Sequence, residues 1–323
     1  MKNDYQRNKV VVIGGGTGLS TMLKGIKKYT SHITAIVTVA DNGGSSGKIR
    51  EEMGIIPPGD IRNCLVALAN TEPIMEKLLQ YRFTEGCFSG QNFGNLLLAV
   101  LTEISGSFEE AVHVTSNVLA ITGKVLPVTL EDVHLNAVFD DGELVVGETE
   151  IVEYGKAKES DICHIELLPK WPEPNKAVIE AIEEADIIIL GPGSLYTSII
   201  PNLLVKDISA CIRKAKAEKI YIANIMTQPG ETSHLTLEEH IVILERYLGE
   251  KVINKVIVNN EEVESVYSKQ YEEEGAMLLK VDEGHSIWKD IERIEVPLIK
   301  LYGDKKLIRH DSEKLARCIF AGK

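Results

Sequence analysis

The sequence predicts an α/β fold with a mostly parallel, Rossmann-like sheet, flanking helices and a smaller β-containing insertion. Apolar strands alternate with amphipathic helices at residues 10–40 and again at 175–258. Strand–helix–strand units of this kind build parallel sheets through right-handed crossovers. At 124–168 the hydrophobic period changes to two, which predicts antiparallel β structure. We therefore divide the chain into three parts: a first part of the core with a helical segment (1–125), a β-rich insertion or subdomain (126–170), and a second part of the core with the C-terminal segment (171–323).

The net charge limits the classes of partner. The chain has 323 residues, with 35 Lys and Arg against 48 Asp and Glu, and a formal charge of −13. Nucleic acids and anionic membranes need a positive field, whereas a nucleotide can be bound by backbone amides and a few placed cations. The N-terminus is polar, no apolar run reaches the ~20 residues of a membrane span, and the five cysteines form no CxxC pair. We expect a cytoplasmic protein with no membrane span and no nucleic-acid partner.

The first elements are an apolar strand, a glycine-rich loop and a helix. The strand at 10–13 runs into the loop at 14–18, and helical spacing of apolar residues begins at Leu19. Glycine lets the backbone approach a ligand, and a helix N-terminus presents unpaired N–H groups, so the arrangement is typical of phosphate binding. The alternative is a tight turn without a ligand. The predicted binding residues of this loop are Gly14, Gly15, Gly16, Thr17 and Gly18.

This loop matches neither common nucleotide motif in full. No Lys-Ser/Thr pair follows its last glycine, which excludes a Walker A site, and Leu19 stands where a dinucleotide fingerprint has its third glycine. A second apolar strand at 33–39 ends at Asp41, where a Rossmann domain places its ribose-binding carboxylate. Asp41 fits three roles that remain open: a ribose contact, a ligand of a divalent metal such as Mg²⁺, and a catalytic base.

Residues 41–60 are predicted to form a polar, glycine-rich connection. Flexible backbone is costly to order, so this segment is either a ligand-binding loop or a disordered one. In the first case Asn42, Ser45 and Ser46 contact the ligand, with Lys48 as a candidate counter-charge.

Further polar residues surround the next two helix starts. We expect Asp60 to be an N-cap. Arg62 and Asn63 then lie in the first turn, where a cation gains nothing from the helix dipole, so Arg62 indicates a bound anion or a partner carboxylate. Asn92 and Asn95 flank a glycine; capping by Asn95 is one interpretation, and a hydrogen bond to a base or sugar is the other.

A helical region leads to the insertion. Helices are predicted at 75–83, 95–105 and 108–121. Ser107 and Glu110 form a capping box for the last of these. Alternating residues at 133–139 and 143–146 flank an Asp-Asp-Gly turn, which predicts a β-hairpin.

The α/β alternation then resumes and brings a second glycine loop. A helix at 175–185 precedes a strand at 187–190, and the loop that follows combines backbone donors with hydroxyls. A further strand at 219–225 places Asn224 and Thr227 at the carboxyl edge, where open α/β sheets bind ligands. The predicted phosphate-binding residues of the second loop are Gly191, Gly193, Ser194, Thr197 and Ser198.

The C-terminal part carries two helix-start signals. Thr236 with Glu239 predicts a capped helix at 237–248, followed by a strand at 252–258. Ser312 is expected to cap a final helix, with phosphorylation of its hydroxyl as the alternative.

Six motifs occur in order between residues 14 and 232. They read GGGTGLS, TVADNGGSSG, PPGDIRN, NFGN, GPGSLYTSI and NIMTQPGET. Together they closely resemble the 2-phospho-L-lactate transferase (CofD-like) family, and best its bacterial branch, the gluconeogenesis factor (YvcK-type) proteins. Six ordered motifs are far more specific than one glycine loop.

The resemblance implies a Rossmann-like core with a second smaller part, usually dimeric. Transferase members join a phosphate-linked lactyl group, carried on guanosine diphosphate, to a deazaflavin. The bacterial branch is described as binding UDP-sugars such as UDP-N-acetylglucosamine and is linked to carbon-source-dependent growth and to cell shape. Asn42 stands where the family often has a second acidic residue, which weakens the case for metal-assisted transfer.

Three functional hypotheses follow. The first is a homodimeric cytoplasmic regulator that binds a UDP-sugar, affects cell-wall precursor supply and acts on an unknown protein partner. No convincing nucleophile-and-base set is present, so binding without turnover fits the residues best. The second is a transferase that moves a phosphate-linked group from a carrier such as GDP, with Mg²⁺ on Asp41. The third is a protein that binds a dinucleotide such as NAD.

Overall fold

The computed structural model describes residues 7–302 and 307–321. A seven-stranded sheet, in which every pair of neighbouring strands is parallel, lies at the centre of the protein. The predicted Rossmann-like α/β fold is confirmed. The strands are β1 (Val10–Gly14), β2 (Ile33–Val37), β3 (Lys124–Pro127), β4 (His134–Phe139), β5 (Leu144–Val146), β6 (Ile162–Leu168), β7 (Ile187–Leu190), β8 (Glu218–Ile222), β9 (Lys255–Asn259), β10 (Glu292–Val296), β11 (Ile299–Tyr302) and β12 (Leu307–His310).

Helices cover both faces of this sheet and connect its strands. They are α1 (Gly16–Ile26), α2 (Gly44–Met53), α3 (Gly59–Leu68), α4 (Pro73–Leu79), α5 (Phe93–Ser105), α6 (Phe108–Val118), α7 (Glu148–Lys158), α8 (Lys176–Glu183), α9 (Ile200–Leu203), α10 (Ile208–Lys214), α11 (Leu237–Leu248), α12 (Ser265–Glu273) and α13 (Ser312–Phe320). A π-helical turn, Leu195–Ile199, precedes α9, and a 3₁₀ turn, Ser286–Lys289, precedes β10.

The strand order places β1 and β7 side by side at the centre of the sheet. The order is β10-β9-β8-β7-β1-β2-β3, so the chain moves outward from β1 to β3 and later returns beside β1 before moving outward the other way. Val12 pairs with Ala35 on one side and with Ile189 on the other. A reversal of this kind opens a crevice at the carboxyl ends of the two central strands. Both predicted glycine loops leave the sheet at that crevice.

The two central strands are fully apolar because helices cover both of their faces. All four residues of β7 are buried, as are all five of β1. Continuous apolar strands of this type are characteristic of parallel sheets. On one face, α1 buries Leu19, Met22, Leu23 and Ile26 against the sheet. The start of α1 is thereby fixed relative to β1.

The predicted β-hairpin is confirmed and belongs to a separate antiparallel sheet. This sheet has the order β5-β4-β6, and α7 packs on it, with Phe139 and Tyr154 rings 4.8 Å apart. Its strands lie within the predicted insertion at 126–170. The three-part division remains a prediction, and its outermost residues, 1–6 and 322–323, lie outside the described part of the chain.

Three local predictions between residues 41 and 95 were wrong. Residues 41–60 are not one long connection, because α2 forms there and buries Ser45 and Ser46. Asp60 is not an N-cap: α3 starts after Pro58, and Asp60 lies in its first turn. Asn92, rather than Asn95, caps α5 by accepting the N–H of residue 95.

The predicted cap of the final helix was also wrong. Asp311 caps α13 by accepting the N–H groups of Glu313 and Lys314, and Ser312 is the first helical residue. In contrast, the capping box of Thr236 and Glu239 at α11 is confirmed.

Among the described residues, no single helix is long and apolar enough to cross a membrane. One bent pair, Leu195–Leu203 with Ile208–Lys214, passes the same criteria of length and composition.

The C-terminal helix packs closely on α1. Tyr29 and Phe320 stack with ring centroids 5.0 Å apart, and a Cβ on Gly25 would overlap the backbone oxygen of Ser312. This packing holds the end of β12, just before α13, near the carboxyl edge of the central sheet. The contact therefore contributes to the position of the cleft wall described below.

We expect Gly25→Ala to destabilise the protein by about 1 kcal/mol, because overpacking costs about 2 kcal/mol and improved helix propensity recovers about 1. Urea unfolding of both proteins measures the difference. Gly284→Ala is the matched control, since its Cβ would meet its nearest atom at 3.5 Å. Equal stability of Gly25→Ala and the unmodified protein would contradict this packing.

Candidate functional site

The two glycine loops lie side by side at the carboxyl edge and form the floor of a cleft of about 380 Å³. Gly191 N–H donates to the carbonyl oxygen of Ile13 over 2.9 Å. A Cβ on Gly18 would lie 2.7 Å from the carbonyl oxygen of Pro192. Glycine at position 18 is therefore required by the contact between the loops, whatever the cleft binds.

Asp60 lies beneath the first glycine loop instead of capping its own helix. Its carboxylate accepts a hydrogen bond from Gly16 N–H, and a Cβ on Gly15 would be 2.6 Å from Asp60 Oδ2. Burial, and then the charge of Asp41, raises the pKa of the Asp60 carboxyl to about 6. The first N–H group of α1 is thus satisfied within the protein. Thr17 and Gly18 follow it and line the cleft.

Glu231 plays the corresponding role at the second loop, and the sequence analysis missed it. Its Oε1 accepts the Thr197 hydroxyl at 3.1 Å, and the nearby backbone N–H groups of Tyr196 and Thr197 and the Ser194 hydroxyl favour its ionised form. Burial raises the pKa of the Glu231 carboxyl to about 7. The helix start after the second loop is therefore occupied by the protein's own carboxylate.

Asn224 holds the second loop from the next strand. Its Oδ1 accepts Gly193 N–H at 3.2 Å, and its Nδ2 donates to the Gly193 carbonyl at 2.8 Å. This pairing imitates the pairing of two peptide groups and fixes the conformation of the loop. Gln228 Nε2 adds a hydrogen bond to the Ser194 hydroxyl at 2.5 Å.

Asp41 belongs to a group of carboxylates beside the first loop. Asp41 Oδ1 accepts Gly43 N–H at 2.8 Å, and its carboxylate is hydrogen-bonded to Glu148. Burial and the charges of Asp41, Asp60 and Glu231 raise the pKa of the Glu148 carboxyl. In the ranges 7–302 and 307–321, no group of three His, Cys, Asp or Glu side chains has the geometry to hold a metal ion.

The polar residues after Asp41 make contacts within the protein. Asn42 Nδ2 donates to Glu150 Oε2 at 2.6 Å, which ties α2 to α7. The Ser45 hydroxyl donates to Gln91 Oε1 at 2.7 Å and accepts the N–H of Asn92 at 3.0 Å. Ser46 and Asn95 extend this α2–α5 contact, with 3.5 Å between the serine oxygen and the asparagine Nδ2.

The predicted binding residues divide into three groups. The 380 Å³ cleft contains Gly15, Gly16, Thr17, Gly18, Gly193, Ser194, Ser198, Asn224 and Thr227. A second cleft of about 300 Å³ contains Thr17, Arg62, Asn63 and Asn92. The remaining predicted residues line neither cleft; they are Gly14, Asp41, Asn42, Ser45, Ser46, Lys48, Asp60, Asn95, Gly191 and Thr197.

The far wall of the first cleft comes from C-terminal residues that the sequence analysis did not select. Tyr271, Ile308, Arg309 and His310 line it. His310 Nε2 is 3.1 Å from the carbonyl oxygen of Ala223, and burial lowers the pKa of this imidazole to about 4. This wall therefore carries the cationic guanidinium of Arg309, the exposed carboxylate of Glu274 and, at neutral pH, the uncharged imidazole of His310.

Comparison with known proteins identifies relatives along nearly the whole chain. The family model described as 2-phospho-L-lactate transferase CofD matches residues 10–299. A putative gluconeogenesis factor of Thermoanaerobacterium thermosulfurigenes is 53% identical over 321 residues, which cover 99% of this chain and 98% of that protein. The gluconeogenesis factor of Bacillus subtilis is 46% identical over 312 residues, with 96% of each chain covered.

A solved structure shares the architecture. The crystal structure of a UPF0052 family member from Bacillus halodurans is similar with a TM-score of 0.92 and 41% sequence identity. The likeness covers 97% of this chain and 99% of that one.

We expect Glu231→Gln to change the pH dependence of stability. Burial raises the pKa of Glu231 from 4.5 to about 7, so the folded protein holds this proton more tightly than the unfolded chain does. The protonated Glu231 carboxyl therefore stabilises the folded protein most below its unfolded pKa of 4.5. This stabilisation falls as pH rises from 4.5 to about 7. The free energy of unfolding of the unmodified protein, minus that of Glu231→Gln, should decrease by about 3 kcal/mol as pH rises through this range.

Urea unfolding at several pH values measures this difference. Glu313→Gln is the control, and its stability difference should change with pH in the opposite direction. The Lys28 ammonium lowers the pKa of the Glu313 carboxyl, so the ionised carboxylate stabilises the folded protein at neutral pH and this stabilisation is lost at acid pH. A difference for Glu231→Gln that does not vary with pH would contradict the assigned environment.

Proposed function

This chain belongs to the 2-phospho-L-lactate transferase CofD family, and on that premise we propose that it is a nucleotide-sugar-binding regulatory protein of the gluconeogenesis factor type. The family resemblance read from the six motifs is confirmed. The proposed ligand is a UDP-sugar such as UDP-N-acetylglucosamine, bound without turnover. The name gluconeogenesis factor, which the relatives carry, supports a role in carbon-source-dependent growth.

The proposal rests mainly on the cleft over the two adjacent glycine loops. Gly15, the N-cap of α1, provides no side chain to its helix start, and Gly16 adopts φ +70°, which favours glycine. The N–H groups of Thr17 and Gly18, which follow the one bound by Asp60 and line the cleft, attract a diphosphate through their partial positive charge. Arg309 on the opposite wall supplies a full positive charge.

The remaining walls suit a base and a sugar. Met226, Pro229 and Ile308 give the cleft an apolar side, and Tyr271 adds a ring on which a base can stack. The hydroxyl groups of Thr17 and Ser198 also line the cleft and can contact sugar hydroxyls. A volume of about 380 Å³ lies within the range of small-molecule sites.

A transferase is the second candidate, favoured by the family's description and by the carboxylates around Asp41. Mg²⁺ on Asp41 would need further protein ligands of suitable geometry, and the described residues do not provide a group of three. A NAD-binding protein is the third candidate; its expected ribose contact, Asp41, is instead bonded to Gly43 and Glu148.

Other parts of the proposal come from the family resemblance alone. These are a homodimer, a cytoplasmic location, an unknown regulatory protein partner, and links to cell shape and cell-wall precursor supply. They remain predictions.

We expect UDP-N-acetylglucosamine at saturation to raise the melting temperature by about 3–6 °C without Mg²⁺, because a ligand that binds only the folded state stabilises it. Thermal-shift titrations with this ligand, GDP and NAD, each with and without Mg²⁺, make the comparison. A GDP shift that requires Mg²⁺ would favour the transferase, and a NAD shift the dinucleotide hypothesis. No shift with any of the three would contradict nucleotide binding.

We expect Arg309→Ala to weaken UDP-sugar binding by about tenfold or more, the effect of losing one charge-assisted hydrogen bond. Isothermal titration calorimetry of both proteins measures it. Arg317→Ala is the matched control, because Arg317 is exposed in the last turn of α13. Equal affinity of Arg309→Ala and the unmodified protein would mean that the diphosphate lies elsewhere.

A further inference from the structure

The second cleft differs in charge from the rest of the molecule. Its volume is about 300 Å³, and it lies between α1, α3 and the segment that precedes α5. Three cations line it, Lys24, Arg62 and Arg82, and its lining includes no carboxylate. In a chain with a formal charge of −13, such a group of cations needs an explanation.

Arg62 is incompletely satisfied in this cleft. Its Nη2 donates to Asn63 Oδ1 at 2.6 Å, but its Nε and Nη1 are buried and have no hydrogen-bond partner among the described residues. A Cβ on Gly94 would lie 2.6 Å from Arg62 Cδ, so the side chain is confined by α5. Buried donors without acceptors are costly, and an anion in the cleft would satisfy them.

The other two cations are positioned by contacts at the cleft rim. Arg82 Nη1 donates to the carbonyl of Gly90 at 2.6 Å, which leaves the remaining guanidinium donors available. Lys24 forms a 3.0 Å ion pair with Glu76. Burial, followed by repulsion from Arg82, lowers the pKa of Arg62 to about 10, a repulsion that an anion between the two would relieve.

We propose that this cleft binds the phosphoryl group of a second, small ligand at the same time as the nucleotide occupies the larger cleft. Two guanidinium groups present planar forks of donors that match phosphate oxygens, and a dianion suits their combined charge. The volume suits a small phosphorylated metabolite. This phosphate site in the smaller cleft does not require a particular nucleotide in the larger cleft, although Thr17 lines both.

Isothermal titration calorimetry with glycerol 3-phosphate and with inorganic phosphate, at constant ionic strength, tests this proposal. We expect saturable binding of one equivalent, weakened about tenfold in Arg82→Ala and in Lys24→Ala. Lys77→Ala is the matched control, since Lys77 is an exposed cation of α4 outside the cleft. Binding that is unchanged in both cleft variants, or no binding at all, would overturn the proposal.

A second arm separates this cleft from the nucleotide site. Glycerol 3-phosphate should bind with the same affinity to protein saturated with UDP-N-acetylglucosamine and to the Arg309→Ala variant. Mutual exclusion would show that the cleft receives the nucleotide's own phosphates, which overturns the proposal. If the UDP-sugar does not bind but the phosphate ligands do, the proposed function fails and with it the simultaneous occupancy, while the phosphate site in the smaller cleft stands.

Discussion

The contact between the two glycine loops determines where every part of the candidate site lies. β7 returns to the sheet beside β1, and Gly191 donates to Ile13 across the junction. Gly18 packs so closely on Pro192 that a Cβ would not fit. Because successive strands are added in one direction from β1 and in the other direction from β7, a crevice opens above the loops. The segments after β8 and around β12 then form its walls.

Two buried carboxylates hold these loops in place before a ligand arrives. Asp60 accepts an N–H group of the first loop, and Glu231 accepts the Thr197 hydroxyl and lies near the N–H groups after the second. Burial raises the pKa of both carboxyls. A negative group at a helix start is favourable because it offsets the partial positive charge of the unpaired N–H groups. A glycine loop before a helix therefore indicates affinity for an anion. In this protein the carboxylates of Asp60 and Glu231 are two of the anionic groups at such helix starts.

The sequence predicted features with a local signature. The strands at 10–13 and 187–190 and the capping box at Thr236 depend on a few neighbouring residues, and all are present. Glu231 and Arg309 were missed because only the fold brings them near loops far away in the chain. The helix within 41–60 was missed because its glycines and serines favour turns. Burial of Ser45 and Ser46 against α5 overrides that preference.

The acidic composition of the chain excludes partners that need a broad positive surface, but it does not describe either cleft. Screening confines exposed charges to about 8–10 Å at physiological salt. Local groups therefore decide what an anion experiences. In the larger cleft these are the N–H groups of Thr17 and Gly18, Arg309 and the carboxylate of Glu274; in the smaller one they are Arg62 and Arg82. Helix α1 contributes to both through Thr17. Because α1 is packed on the sheet through Leu19, Met22, Leu23 and Ile26, its start is fixed, and each cleft can hold an anion without changing the environment of the other.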